Sequence, residues 1–104
     1  MKKFLAVLLS ACVLAGSAIA FSACGDGRET LTVYTNAAFA PWEYLNEYGE
    51  VAGVDVDIAR ELGDILGYNV EIRDVSFGSI FTNVQNAEMS IGAAGITITE
   101  DRLE

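Results

Sequence analysis

Histidine is missing from this chain altogether, and proline occurs once, at Pro41. Without an imidazole there is no Ser/His/Asp or Cys/His scheme for nucleophilic catalysis. Two cysteines, Cys12 and Cys24, cannot make a transition-metal site on their own, and no metal or cofactor is expected. Cations are scarce too: six Lys and Arg stand against fifteen Asp and Glu, a net charge of −9. A surface this acidic repels phosphate backbones, which argues against nucleic acid as a partner. There is no Gly-Lys-Ser/Thr phosphate loop, and Gly25-Asp26-Gly27 follows no predicted strand, so it is not a dinucleotide fingerprint. Asp55-Val56-Asp57 opens like a calcium loop, but Arg60 and Leu66 stand where the turn glycine and bidentate glutamate belong. Carboxylates are plentiful, yet no spacing among them marks a general acid and base, and no catalytic residue is expected.

What remains is one small domain: 104 residues, 52% hydrophobic and 20% charged, a balance unlike that of a disordered chain. Residues 1–23 do not belong to its core. Lys2 and Lys3 precede the apolar run Phe4 to Leu9, and small residues follow up to Cys24, the pattern of a secretory signal. The apolar stretch is just long enough for a single membrane anchor, but Ser10, Gly16, Ser17 and the small-residue end favour cleavage. Phe21-Ser22-Ala23-Cys24 resembles a bacterial lipoprotein processing box, although Phe21 replaces the usual aliphatic residue. Leu9-Ser10-Ala11-Cys12 matches the letters better but has too little apolar chain before it. Cleavage before Cys24 removes Cys12 and leaves one thiol outside the cytoplasm, and lipidation of Cys24 accounts for it. The alternative is a secreted chain with a spare thiol. Loss of Lys2 and Lys3 moves the net charge from −9 to −11 and leaves four arginines as the only cations.

Residues 24–30 are polar and Gly-rich, a short tether. Leu31 to Thr35 alternates and is β-branched, a strand. Asn36 to Pro41 breaks it, because proline cannot sit inside a ladder. Trp42 to Leu45 and Val51 to Val54, around Asn46 to Glu50, suggest a hairpin. Asp55 is expected to cap a helix whose Ile58, Leu62, Ile65 and Leu66 form one apolar stripe, with Gly67 as its stop. Gly63 inside that helix costs roughly 1 kcal/mol and implies close packing on a neighbour. Tyr68 to Val75 reads as a second strand, with Val70 and Ile72 on one face. Ser79 starts a second helix with Ile80, Val84 and Ala87 on one face. Met89 to Ala94 reads as a third strand. Strand–helix–strand–helix–strand predicts an α/β fold, a parallel sheet with flanking helices.

Ligands of such sheets sit beyond the carboxyl ends of the strands. Three ends converge here: Asn36 to Phe39, Ser76 to Ser79, and Gly95 to Thr97. The third opens the decapeptide Ala93 to Arg102, which suits a carboxylate. Gly95 lets a ligand approach its N–H, Thr97 adds a hydroxyl, and Arg102 can close with a two-pronged pair. The plainer alternative makes Thr99, Glu100 and Asp101 helix-cap residues and Arg102 a surface charge.

Three segments, Thr35 to Tyr44, Gly53 to Ala59 and Ala93 to Arg102, together resemble the polar amino-acid branch of bacterial solute-binding proteins, the extracytoplasmic receptors of ABC importers. The resemblance implies a periplasmic-binding-protein-like lobe, with residues 31–104 forming an incomplete first lobe of a two-lobed venus-flytrap. It implies that Arg102 pairs with the carboxylate of an amino acid, helped by Gly95 and Thr97. Ala94 would offer its carbonyl to the ammonium, Phe39 and Phe77 would sandwich the side chain, and Asn36 would sit at a specificity position. Trp42 and Tyr44 are expected in the core, and Asp55 and Asp57 at the start of a helix rather than on a ligand. Phe77-Gly78-Ser79, Thr82 and Ser90 depart from the usual family pattern. The implied partners are a small amino acid, an importer permease and, through Cys24, a membrane; the implied state is a monomer without enzymatic activity. The alternatives are an enzyme on the same scaffold (a dehydratase or lytic transglycosylase) and the sensing domain of a receptor kinase.

Overall fold

The computed structural model describes residues 25–103; the signal segment 1–23 and Cys24 lie outside the described residues. The strand β1 (Thr30–Thr35) is the centre of the larger sheet. It pairs in parallel with β5 (Asn69–Asp74) on one side and β6 (Ser90–Gly92) on the other. The register sets Leu31 beside Val70, and Val33 beside both Ile72 and Ile91. This is the α/β fold with a parallel sheet expected from the alternation of strands and helices.

The two helices that connect these strands cover opposite faces. The helix α1 (Val54–Leu66) brings Ala59 against Leu31 and Val33, with Tyr68, Val70, Ile72, Ile91 and Ala93 around them. The helix α2 (Phe77–Asn86) brings Ile80 against Tyr34 and Ala94, with Val75, Val84, Ala87 and Ile96 around them. Successive residues of β1 point to opposite faces, so Val33 and Tyr34 are both buried in different clusters.

The contact face of α1 differs from the expected one. Val56, Ala59 and Gly63 are buried, whereas Ile58 is 60% and Ile65 is 72% exposed. The reason is distance of approach. A Cβ at Gly63 would overlap the Cγ2 methyl of Val70, so only small residues let this helix lie so close to the sheet. The large residues Ile58, Leu62, Ile65 and Leu66 turn outward. Asp55 does not cap the helix either. Gly53 holds the N-cap position with no side-chain cap bond, and Gly67 ends the helix as expected. The second helix begins at Phe77, after Ser76, two residues before the expected Ser79. The tether gives way to β1 one residue early, at Thr30.

Along the chain, the segment between β1 and α1 forms a second, antiparallel sheet. It contains β2 (Ala38–Phe39), β3 (Glu43–Leu45) and β4 (Val51–Ala52) in that order. The β3–β4 hairpin was expected; β2 lies within the stretch read as a break. Pro41 sits in the turn between β2 and β3. The backbone N–H groups of Val54 and Asp55 donate to the carbonyls of Pro41 and Trp42 at 3.1 and 3.0 Å. Gly53 permits this contact: its φ is +130°, and a Cβ there would strike the Trp42 carbonyl. The hairpin and the start of α1 are thus tied together.

Candidate functional site

Beyond the carboxyl end of β6 the chain turns sharply at Gly95, where φ is +56°. The residues Gly92 to Ile96 form the floor of an open cleft of about 510 Å³, walled by Phe39, Trp42 and Asp55. That volume lies in the range of small-molecule sites. A Cβ added at Gly95 would come within 3.0 Å of Phe39 Cε1. The aromatic ring therefore lies against the bare glycine backbone, and the two expected site residues are in contact.

The Gly95 N–H is not idle. It donates to Asp55 Oδ2 at 2.8 Å. Asp55, read from the sequence as a helix-start residue, thus reaches the cleft floor from the first turn of α1. Ala94 lines the same cleft and is buried. Trp42, expected in the core, is 43% exposed and forms part of the wall. Tyr44, also expected in the core, is 38% exposed.

A second group of expected residues gathers around Arg102. This residue ends a short 3-10 turn, Glu100–Arg102, in place of the longer helix start read from the sequence. Its Nη1 donates to the Thr97 carbonyl at 2.9 Å. Its guanidinium carbon lies 5.5 Å from the Phe77 ring centroid and 5.2 Å from that of Phe81. The two rings meet edge to face, 5.6 Å apart. A planar cation held against two aromatic faces loses little entropy when it binds a carboxylate. Among the described residues Arg102 makes no ion pair.

Asn36 does not line the cleft itself. Its Nδ2 donates to the Val75 carbonyl at 2.9 Å and ties the ends of β1 and β5 together. Asp74 Oδ1 accepts the Ala37 N–H at 2.8 Å beside it. The expected residues thus form two groups: Phe39, Ala94 and Gly95 in the cleft, and Phe77, Thr97 and Arg102 next to it.

Sequence reasoning missed Glu43. It is 1% exposed, and among the described residues its Oε2 meets no N–H or O–H donor. Burial, the facing Asp55 carboxyl and its charge push the Glu43 carboxyl up to about 7. A carboxyl withdrawn from water beside a second carboxyl favours its neutral form. The one hint in the sequence is position: Glu43 stands between the aromatic residues Trp42 and Tyr44, at the start of a three-residue strand where alternation is too short to read.

Residues 31–104 match the bacterial extracellular solute-binding proteins, family 3. The chain belongs to that family. It is 35% identical over 113 residues to a probable histidine-binding protein of Neisseria gonorrhoeae, covering 98% of the chain and 40% of that protein. Identity is 34% over 102 residues to the probable ABC transporter arginine-binding protein ArtJ of Chlamydia trachomatis serovar D, covering 97% and 38%. Among solved structures it resembles the arginine-bound form of domain 1 from TmArgBP, with a TM-score of 0.68 and 34% identity over 71% of the chain and 59% of that domain. An ancestral cyclohexadienyl dehydratase gives a TM-score of 0.66 and 30% identity, over 71% and 31%. The chain spans about two fifths of the length of these curated relatives. For the family member, the extracellular setting agrees with the expected extracytoplasmic location.

Proposed function

We propose that this chain supplies first-lobe contacts of an extracytoplasmic receptor for a cationic amino acid, serving an ABC importer. The observation that carries the reading is the pairing of a bare glycine floor at Gly95 with Arg102 held ready over Phe77 and Phe81. The amino-acid carboxylate is bound by Arg102 and the Thr97 hydroxyl and N–H. It reaches the Gly95 N–H by displacing Asp55. The Ala94 carbonyl accepts from the ammonium group. Phe39 and Phe77 flank the side chain, and Asn36 shapes the rim through its tie to β5. The cationic preference rests on the histidine- and arginine-binding relatives and on the acidity of the chain, −9 overall. Lipidation at Cys24 anchors the receptor to the membrane, and it works as a monomer with its permease.

The dehydratase likeness supports a second, enzymatic reading, because a carboxyl titrating near 7 suits a general acid. Glu43, however, does not line the cleft, and binding without bond chemistry is the better account.

Calorimetry on the protein from the intact gene tests the proposal, with arginine, histidine, glutamine and glutamate as ligands. Arginine or histidine is expected to bind at roughly micromolar Kd or tighter, about −8 kcal/mol. No heat with any of the four would overturn it.

A further inference from the structure

We propose that Glu43 is a positioning residue: it shares a proton with Asp55, and the shared proton holds Asp55 on the Gly95 amide that shapes the cleft floor. The geometry leads to Gly95 from both residues. Glu43 stands opposite Phe39 in the β2–β3 ladder, and Phe39 lies against Gly95. The Asp55 N–H binds the carbonyl of Trp42, the residue before Glu43, and this sets the Asp55 side chain above the hairpin. From there Asp55 Oδ2 reaches the Gly95 N–H at 2.8 Å. Glu43 itself is sealed from solvent, and among the described residues its Oε2 has no donor to meet.

Two facing carboxyls accept hydrogen bonds but donate none unless one of them is protonated. The buried partner takes the proton, because the low-dielectric site penalises its charge most. Protonated Glu43 donates to the Asp55 carboxyl, whose Oδ2 accepts from Gly95. When the proton leaves, two adjacent anions repel, and Asp55 moves off the Gly95 amide. Among the described residues only Asp55, on α1, acts on Glu43 electrostatically. No titratable or charged residue of β2, β4 or the Ala93–Ile96 segment faces it, since those pieces carry none. Burial and the Asp55 carboxyl place the transition near neutrality, at about 7. The cleft floor is therefore proton-sensitive in a chain that has no histidine.

The pair acts whichever ligand the cleft takes, so its test needs none and stands apart from the amino-acid reading. The absence of histidine also clears the neutral window of imidazole titrations. The experiment follows the Gly95 amide and the Glu43 side-chain carboxyl carbon by NMR on the whole chain from pH 5.5 to 8.5. Both are expected to titrate together, with one midpoint near 7. In Glu43→Gln the side-chain amide donates to Asp55 at every pH, so the Gly95 signal is expected to keep its acid-side position without titrating. A Gly95 amide that is flat in the wild type, or that titrates unchanged in Glu43→Gln, would overturn the proposal. The wild-type titration alone decides the matter if that variant does not fold: separate midpoints for Gly95 and Glu43 refute the coupling.

Discussion

The Asp55 carboxylate and the Gly95 N–H, forty residues apart in sequence, meet at 2.8 Å. This bond joins the first turn of α1 to the turn after β6, and it closes the cleft floor with a group that belongs to neither sheet. A charge-assisted bond of this kind is worth roughly 1.5–3 kcal/mol. Asp55→Asn should retain the shape and lose much of that, and Asp55→Ala should lose all of it. Urea unfolding gives the energies, and faster hydrogen exchange at Gly95 shows where the loss occurs. Unchanged exchange at Gly95 would mean that the bond is idle in solution.

Stability should depend on pH through Glu43. Its folded carboxyl titrates at about 7, above the ordinary value of 4.5. The folded state therefore holds a proton that the unfolded chain has already released, and stability falls as pH rises between those values. The full loss is on the order of 3 kcal/mol. It should be complete just above pH 7, and Glu43→Gln should flatten the profile. Thermal melts from pH 4 to 8 measure this; a wild-type melting point that rises through that window would contradict the burial of Glu43.

Gly63→Ala provides a test of opposite sign to helix propensity. Propensity alone favours alanine by roughly 1 kcal/mol. The overlap with Val70 Cγ2 should outweigh it and destabilise the protein by about 1–3 kcal/mol. A stabilised variant would show that α1 stands farther from the sheet.

The orientation of α1 can be tested in the same way. Val56→Ala removes buried methyl groups and should cost about 2 kcal/mol. Ile65→Thr, at a site 72% exposed, should change stability by less than about 0.5 kcal/mol. Equal losses at both positions would reverse the assignment of faces.

With Arg102 as the proposed partner of the ligand carboxylate, Arg102→Ala should weaken amino-acid binding by roughly 2–5 kcal/mol. Arg102→Lys should recover little, since an ammonium neither forks onto a carboxylate nor lies flat on Phe77 and Phe81. Calorimetric titration with arginine compares the three proteins, and equal affinity in all of them would remove Arg102 from the site.

The chain itself determined the elements whose patterns are local. Alternation in Leu31 to Thr35 and in Val70 to Ile72, the Ile80–Val84–Ala87 face and the Gly67 stop are each written within a few residues. Their order was enough to give a parallel sheet with helices on its faces. Which side of α1 meets the sheet was decided only by tertiary packing. Periodicity finds an apolar stripe, but the depth of approach selects Ala59 and Gly63 over the larger Ile58 and Ile65. The Asp55–Gly95 bond and the burial of Glu43 were likewise set by the fold, since both depend on distant segments brought together around a hairpin too short to carry a pattern. Burial changes the chemistry of a carboxyl, and burial is a property of the assembled molecule.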